Sequence, residues 1–404
     1  MPQSLLTPTA LRRASLDAVL GYAWEADAVT ASDVIENVGL TRSTAIDVVD
    51  ELVERGLLAE LPNARAAGEY QKGRPARRFS FLADAGYVVG VDAGRARLTA
   101  TVADLRGETQ AVRHLAADGS RDSAEDRRRD AVRVVDDALA AAGITRSEVS
   151  ALCVGVPAPV DRNGSSPPHR DDFWRRMNPS FSELFGRWAP IVQVENDASL
   201  AAVAERAVGA AVGCDDFVTL LAGERLGAGV WVDGRLLRGA HGGAAEMVAF
   251  DHVAGVEGAW GLGYRAAELA RRALAKGSLP SSSALRELDP AVIDGKTVLT
   301  LASHGDAGAM VVARQVGETL AVIAGVLASL FDSRRIIVSG AVAAGAAPVI
   351  EAALAALPQE LDLPAPEIVA SELGADIVSV GAVRAAVEAA RTGVLDLPRF
   401  VLAS

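Results

Sequence analysis

Cysteine is nearly absent. Only Cys153 and Cys214 occur in 404 residues, too few for a disulfide framework or a four-cysteine zinc site and in keeping with a reducing compartment. Long apolar runs are missing too. The longest uncharged one, Thr319 to Phe331, falls short of the ~20 residues that span a bilayer, so it reads as a buried helix and no membrane partner is expected. The first residues, MPQSLLTPTALRR, lack the continuous apolar core of a signal peptide because prolines and threonines interrupt it. A cytoplasmic protein is expected. Net positive charge is also lacking: 40 basic against 52 acidic residues give −12, which excludes coating nucleic acid or anionic membrane through overall charge but leaves a local basic patch open.

What is present is ample core material, with 50% of residues apolar and 23% charged. A chain this long predicts two or three domains. Residues 8 to 24 read as a helix presenting Leu16, Val19, Leu20 and Ala23 on one face. Thr30 with Asp33 gives a capping signal for a second helix that Gly39 ends, and Leu40 and Thr41 lead into a third, where Ala45, Val49, Leu52 and Val53 keep helical spacing. Arg42, Ser43 and Thr44 lie at its exposed start. Two helices joined by a short glycine-bearing turn form the helix-turn-helix pattern, in which the second helix offers its first residues to the major groove. A three-helix interaction bundle matches the same pattern.

The residues that follow favour DNA. Leu57 and Leu58 open an extended segment, 65 to 73 looks like a loop tip, and 77 to 81 returns as a strand, which makes a wing. KGRPARR at 72 to 78 carries Lys72, Arg74, Arg77 and Arg78 with no acid, although residues 1 to 82 hold nine basic and eleven acidic side chains. Concentrated cationic charge suits phosphate contact, whereas a solvated linker needs only polarity. From Tyr87 the pattern turns to α/β: YVVGVDAG, alternation through Leu98, Ala100 and Val102, a helix over 124 to 142, ALCVGVPAPVD, and IVQV running into Glu195, Asn196 and Asp197 at a helix start. Residues 216 to 237 repeat this logic, and a strand over 334 to 343 with helices over 345 to 356 and 377 to 392 completes a two-lobed reading.

On GRPARRFSFLADAGYVVGVDAGR, VGVPAPVDRNG, VENDASLAAVAE, LGAGVWVDGRLLRGAHGGAAEM and RRIIVSGAVAAG, in that order, the chain resembles the ROK family of repressors, open reading frames and sugar kinases. The resemblance implies a winged helix-turn-helix domain over 1 to 82. Over 83 to 404 it implies a sensor of two lobes with an actin-like, ribonuclease H-like fold, where sugar and nucleotide meet between the lobes. It also implies a homodimer or homotetramer.

The departures from the family pattern decide what the sensor does. The kinases' Asp-x-Gly-Gly-Thr is Asp92-Ala93-Gly94-Arg95-Ala96 here, and Gly-Thr-Gly-x-Gly-x-Gly is Gly223-Glu224-Arg225-Leu226-Gly227-Ala228-Gly229. Glu224 faces phosphate charge, so both stretches read better as tight turns than as nucleotide cradles. The family's zinc His is replaced by Ala249 and its three cysteines are missing from 252 to 264, so no metal and no other cofactor is expected; His252 reads as a surface residue. Asn196 and Asp197 match Glu-Asn-Asp-Ala, where Asp is the general base towards a sugar hydroxyl, and Glu246 matches a hydroxyl-binding Glu. Carboxylates and amides suit polyols, while helix capping is the competing role for Asn196 and Asp197. The family's sugar-binding Asn aligns near His169 and Arg170, which with Arg175 and Arg176 opens the option of a phosphorylated or acidic sugar.

The expectation is a transcriptional regulator, a repressor by the resemblance, that binds an inverted-repeat DNA operator under control of a sugar or sugar derivative. No catalytic residue is expected. The alternatives are an active ATP-dependent sugar kinase with an appended DNA-binding domain, or a protein-docking sensor without a small-molecule ligand.

Overall fold

The computed structural model describes residues 7–62, 76–117, 123–169, 171–357 and 364–397. Helix α1 (Pro8–Glu25) starts where the Thr7 hydroxyl accepts the Ala10 N–H at 3.2 Å, with proline in the first turn. After β1 (Val29–Thr30), a capping box opens α2 (Ala31–Val38): Asp33 N–H donates to the Thr30 hydroxyl at 3.2 Å and Thr30 N–H to the Asp33 carboxylate at 2.8 Å. Gly39 ends it at φ +77°, a left-handed turn that glycine adopts freely. Thr41 then caps α3 (Arg42–Glu54). Strands β2 (Leu58–Glu60) and β3 (Arg78–Phe81) pair antiparallel and β1 joins the far side of β3, so the sheet order is β1-β3-β2. With that sheet present the bundle alternative gives way to a winged helix-turn-helix. The expected wing tip, with Lys72 and Arg74, lies outside the described residues.

The first lobe runs through β4 (Tyr87–Ala93), β5 (Arg97–Asp104), β6 (Thr109–Ala116), α4 (Ala124–Ala142), β7 (Val149–Val156), α5 (Phe173–Met177), α6 (Phe181–Phe185), β8 (Ile191–Asn196) and α7 (Asp197–Val208). The alternation along β5 suggests one buried face, yet Thr99, Thr101 and Ala103 are buried as well as Leu98, Ala100 and Val102. Helices cover both sides of the sheet. The second lobe follows with β9 (Phe217–Leu221), β10 (Gly227–Val232), β11 (Arg235–Leu236), α8 (Leu262–Ala275), α9 (Gly295–Ser303), α10 (Ala307–Phe331), β12 (Arg335–Ser339), α11 (Ala347–Ala356) and β13 (Glu367–Ala370). Strand β12 stops short of the expected residue 343 because Gly340 turns the chain at φ +89°. The apolar run ending at Phe331 is the second half of α10, which is long and apolar enough to cross a membrane but has half of its most apolar stretch buried in the lobe.

The two sheets have the same plan, β6-β5-β4-β7-β8 and β11-β10-β9-β12-β13, with three antiparallel strands followed by two parallel ones. This is the duplicated, ribonuclease H-like architecture. The last helix, α12 (Ile377–Gly393), returns to the first lobe. A Cβ on Gly90 would lie 2.5 Å from the Val383 nitrogen of α12, and one on Gly381 would lie 1.9 Å from the Leu200 carbonyl of α7. Helix α12 then continues the core into the N-terminal domain, where Ala386, Ala389, Ala390, Val394 and Leu395 share a cluster with Leu16, Leu20 and Leu52. Arg55 donates to the Leu395 carbonyl at 3.1 Å, Arg391 pairs with Glu25 at 2.8 Å, Arg106 donates to the Ala26 carbonyl at 2.7 Å, and Arg13 pairs with Asp396.

Because backbone blocks that Cβ, Gly90→Ala is expected to destabilise the chain by about 1–3 kcal/mol through overpacking. Urea unfolding followed by tryptophan fluorescence reads this as a lower midpoint; an unchanged midpoint would contradict the packing described.

Candidate functional site

Two surfaces carry the residues singled out in the sequence. On the first, Arg42 and Ser43 are exposed at the start of α3, and Thr44 is half-buried with its hydroxyl 2.9 Å from that of Thr41. Arg78 is exposed on β3. Arg77 is differently placed: it pairs with Asp50 at 2.9 Å and Glu60 at 2.9 Å and lies 4.8 Å over the Phe79 ring. It braces α3 against the sheet, holding the Glu60 carboxyl below its usual range through the hydrogen bond between them.

The second surface is the cleft between the lobes. Strand β4 delivers Asp92, and the turn after it is held by the buried Arg127 of α4, which donates to the Ala93 carbonyl at 2.6 Å and the Gly94 carbonyl at 3.4 Å. Strand β8 delivers Asn196 and α7 begins at Asp197. Asn196 does cap the helix, its Oδ1 accepting the Ser199 N–H at 3.0 Å while its Nδ2 donates to the Ala158 carbonyl at 3.2 Å. Asp197 accepts the Ala198 N–H at 2.7 Å. Burial pushes both Asp92 and Asp197 up to about 7, and at Asp197 the charges of Asp92 and then Glu246 add to the effect. Glu246 opens the 3-10 turn Met247–His252, and burial raises it against the opposing pull of Arg225 and His169. Asp92, Asp197 and Glu246 therefore converge electrostatically on one cleft.

The cations around the cleft are largely engaged elsewhere. His169 bonds Asp171 through Nδ1 and lies against Trp174 with ring centroids 4.4 Å apart, Arg176 donates to the Asp171 carbonyl at 3.0 Å, and Arg97 pairs with Asp376 at 2.6 Å. Arg175 is exposed, and Arg170 lies outside the described residues. Among the described residues, Glu195 pairs with Arg238 at 2.8 Å and Arg95 with Glu224 at 3.3 Å across the cleft, and Arg206 of α7 pairs with Asp215 ahead of β9 at 3.1 Å. The pair of Arg95 with Glu224 joins the two stretches that resemble phosphate loops.

The loop at 223–229 is also spoken for by backbone hydrogen bonds. Gly261 N–H donates to the Glu224 carbonyl at 3.0 Å, Tyr264 N–H to the Gly223 carbonyl at 3.2 Å, and Leu226 N–H to the Ala259 carbonyl at 3.0 Å. Arg225 lies 4.8 Å over the Trp260 ring. A metal does not fit beside it: Ala249 and the cysteine-free stretch supply no soft donor, His252 is exposed, and no group of three His, Cys, Asp or Glu side chains converges among the described residues.

Sequence reading misses Arg127, Arg265 and the pair Glu195–Arg238. One signal is available: Arg127 stands one turn before Ala131, Val134, Val135 and Ala138 on the apolar face of α4, where an exposed arginine has no place.

A winged helix-turn-helix in front of a duplicated two-lobed fold with an acidic cleft defines a protein of the regulator and sugar-kinase class. The ROK family model matches residues 88–388, and the chain belongs to the ROK family. Among relatives, the xylose repressor of Bacillus subtilis (strain 168) is 24% identical over 221 residues, 54% of this chain and 55% of the repressor. The chain thus spans about half the length of the xylose repressors it matches. A glucokinase of Streptomyces coelicolor is 26% identical over 270 residues, 63% of this chain and 82% of the kinase. In three dimensions the chain is similar to a ROK family transcriptional regulator, a homologue of the E. coli MLC protein, with TM-score 0.75 at 18% identity over 95% of this chain and 98% of that one. It is also similar to a ROK glucokinase from Streptomyces griseus solved with glucose and AMPPNP, with TM-score 0.63 at 26% identity over 75% and 100% of the two chains.

The raised carboxyls make a prediction about pH. Asp197 sits at about 7 in the folded chain against about 3.9 when unfolded, so between those values the native state holds more protons and its stability falls as pH rises. The destabilisation is complete above about 7 and vanishes below the unfolded value. Asp197→Asn, which keeps the Ala198 hydrogen bond, is expected to raise Tm at pH 8 and to lose that advantage towards pH 4 in calorimetry. A gain independent of pH would contradict it.

Proposed function

We propose that this chain is a sugar-responsive transcriptional repressor, with residues 1 to 82 binding DNA and residues 83 to 404 sensing the ligand. The observation that carries the reading is the exposed first turn of α3, with Arg42 and Ser43 free to face a groove, on a domain docked against α12. Two winged helices in a homodimer or homotetramer match an inverted-repeat operator. Ser43 and Thr44 read bases, while Arg42, Lys72, Arg74 and Arg78 supply charge towards phosphate and Arg77, paired with Asp50 and Glu60, braces α3. The effector is a sugar or sugar derivative held by Asp197 and Glu246, with Asn196 fixing the start of α7. Relatives that are xylose repressors support the sugar. A ligand that favours one lobe arrangement moves α7, with it α12, and so the docked DNA-binding domains.

The test is a gel shift on an inverted-repeat duplex from the chain's own promoter. Arg42→Ala and Arg78→Ala are expected to weaken binding on every sequence and to lower the salt slope by about 1 for each phosphate that is no longer neutralised, whereas Ser43→Ala changes base preference. A panel of sugars and sugar phosphates should contain one that shifts DNA affinity in wild type and not in Asp197→Ala. Unchanged affinity in both arginine variants would sink the DNA-binding surface, and a silent panel would sink the sensor.

A second reading, an active sugar kinase, is favoured by Asp197, whose value of about 7 suits a general base. Against it stand the loops. Phosphoryl transfer depends on positioning and on neutralising the transferred group, and here Glu224 brings a negative charge while Leu226 spends its N–H on the Ala259 carbonyl at 3.0 Å. ATP, magnesium and a panel of hexoses, N-acetylhexosamines and pentoses should yield no phosphorylated sugar. A turnover near ~1 per second that disappears in Asp197→Ala would reverse the assignment.

A further inference from the structure

Arg265, near the start of α8, donates to three carbonyl oxygens of one loop: Nη2 to Val256 at 2.6 Å and to Gly258 at 2.7 Å, and Nε to Trp260 at 3.0 Å. A guanidinium is a rigid planar fork, so three carbonyls meet it only if the chain is wrapped around it. Its half-burial lowers its own pKa, with Glu257 opposing that shift, and charge-assisted bonds of this length are stronger than neutral ones.

The wrapped loop is tied to the cleft on two sides. Gly258 N–H donates to the Phe250 carbonyl at 3.0 Å, inside the turn Met247–His252 that Glu246 opens. On the other side Leu226 N–H reaches the Ala259 carbonyl, Gly261 N–H reaches the Glu224 carbonyl, and Trp260 lies beneath Arg225. Glu246 and Arg225 thus inherit their positions from the loop. The loop has no soft donors with which a metal could gather it, since Ala249 and residues 252–264 provide neither cysteine nor a second histidine.

We propose that Arg265 is the positioning residue of the cleft: its guanidinium folds residues 256–260 and thereby places Glu246 and Arg225, the structural work a bound metal would otherwise do. The consequence for ligand response rests on the sugar-sensor reading, but the folding of the loop does not.

The experiment uses the full chain as wild type, Arg265→Met and Arg265→Lys, with amide hydrogen exchange as the first readout. In Arg265→Met the amides of Leu226, Gly258 and Gly261 are expected to exchange about tenfold faster or more, as removal of a charge-assisted hydrogen bond implies, with β4 and β7 unchanged. Arg265→Lys, which keeps charge but not the fork, should fall between. A chelator should leave wild-type exchange and Tm unaltered. The second readout is the concentration of an active sugar needed to shift DNA affinity, expected to rise at least about tenfold in Arg265→Met and less in Arg265→Lys, with ligand-free DNA binding intact. Wild-type protection of those amides in Arg265→Met, or their acceleration in wild type by chelator alone, would overturn the proposal. If Arg265→Met loses protection everywhere, Arg265→Lys decides: acceleration confined to the loop supports the role and wild-type protection overturns it. If no sugar acts on wild type, the sensor reading fails and the exchange data alone judge Arg265.

Discussion

Between α12 and its neighbours there is almost no side-chain thickness. Gly381 brings the helix backbone onto the Leu200 carbonyl of α7, and Gly90 lets β4 meet the Val383 nitrogen. Interiors packed this closely behave as bistable solids and not as fluids, so β4, α7 and α12 form one body. Asp92 ends the first of these elements and Asp197 begins the second. The third passes into the cluster that holds Leu16, Leu20 and Leu52 of the winged helix. Asp92, Asp197 and the winged helix therefore hang from a single packed wedge, and core packing is continuous from the winged helix into the first lobe.

Around the cleft the arginines are assigned in an unusual way. Arg127 and Arg265 spend their charge on carbonyl oxygens, Arg97 goes to Asp376, and Arg225 lies over a tryptophan. Asp92 and Asp197 are left half-buried and Glu246 exposed at the rim, and all three are raised. At about 7, Asp92 and Asp197 are destabilising at neutral pH, yet each can donate or accept a hydrogen bond there, which matches the dual character of a hydroxyl group. Under the sensor reading, the chain gives up stability where it keeps a polar recognition surface.

How much of this is legible in the sequence depends on the range of the forces involved. The first domain's helices are legible because caps act over three or four residues: Thr30 with Asp33, Gly39 and Thr41 all fall where spacing puts them. The duplicated sheets are legible as apolar runs, but not that β5 is covered on both faces, because that depends on α12, some 280 residues further on. Arg77 reads as a free wing cation since its partners Asp50 and Glu60 are neighbours only after folding. Asn196 is ambiguous between cap and ligand residue, and the structure gives it the cap together with a bond to Ala158. Buried arginines that bind carbonyls are the hardest case, since every residue offers a carbonyl and no side-chain pattern marks the chosen ones.

Between the two stretches that resemble phosphate loops the lobes are joined weakly. Arg95 and Glu224 are 61% and 65% exposed, and pairs of that kind contribute about 0–1 kcal/mol and weaken further with salt. Glu195 is only 16% exposed, so its pair with Arg238 is the firmer contact, on the strand that ends in Asn196. Beside the packing of α7 against β9 and β10, where a Cβ on Gly229 would lie 2.3 Å from the Ala198 carbonyl, these two ion pairs add only a small bias either way. Under the sensor reading, that smallness is useful: a ligand need bind one arrangement better by only about 1.4 kcal/mol to shift the balance tenfold. A kinase needs its phosphate loops to bind nucleotide tightly enough to close the lobes; a sensor needs only that closure be nearly neutral without ligand. Under that reading, the mutually attracting Arg95 and Glu224, which stand where the family's kinases carry a glycine and a threonine, remove the first property while preserving the second.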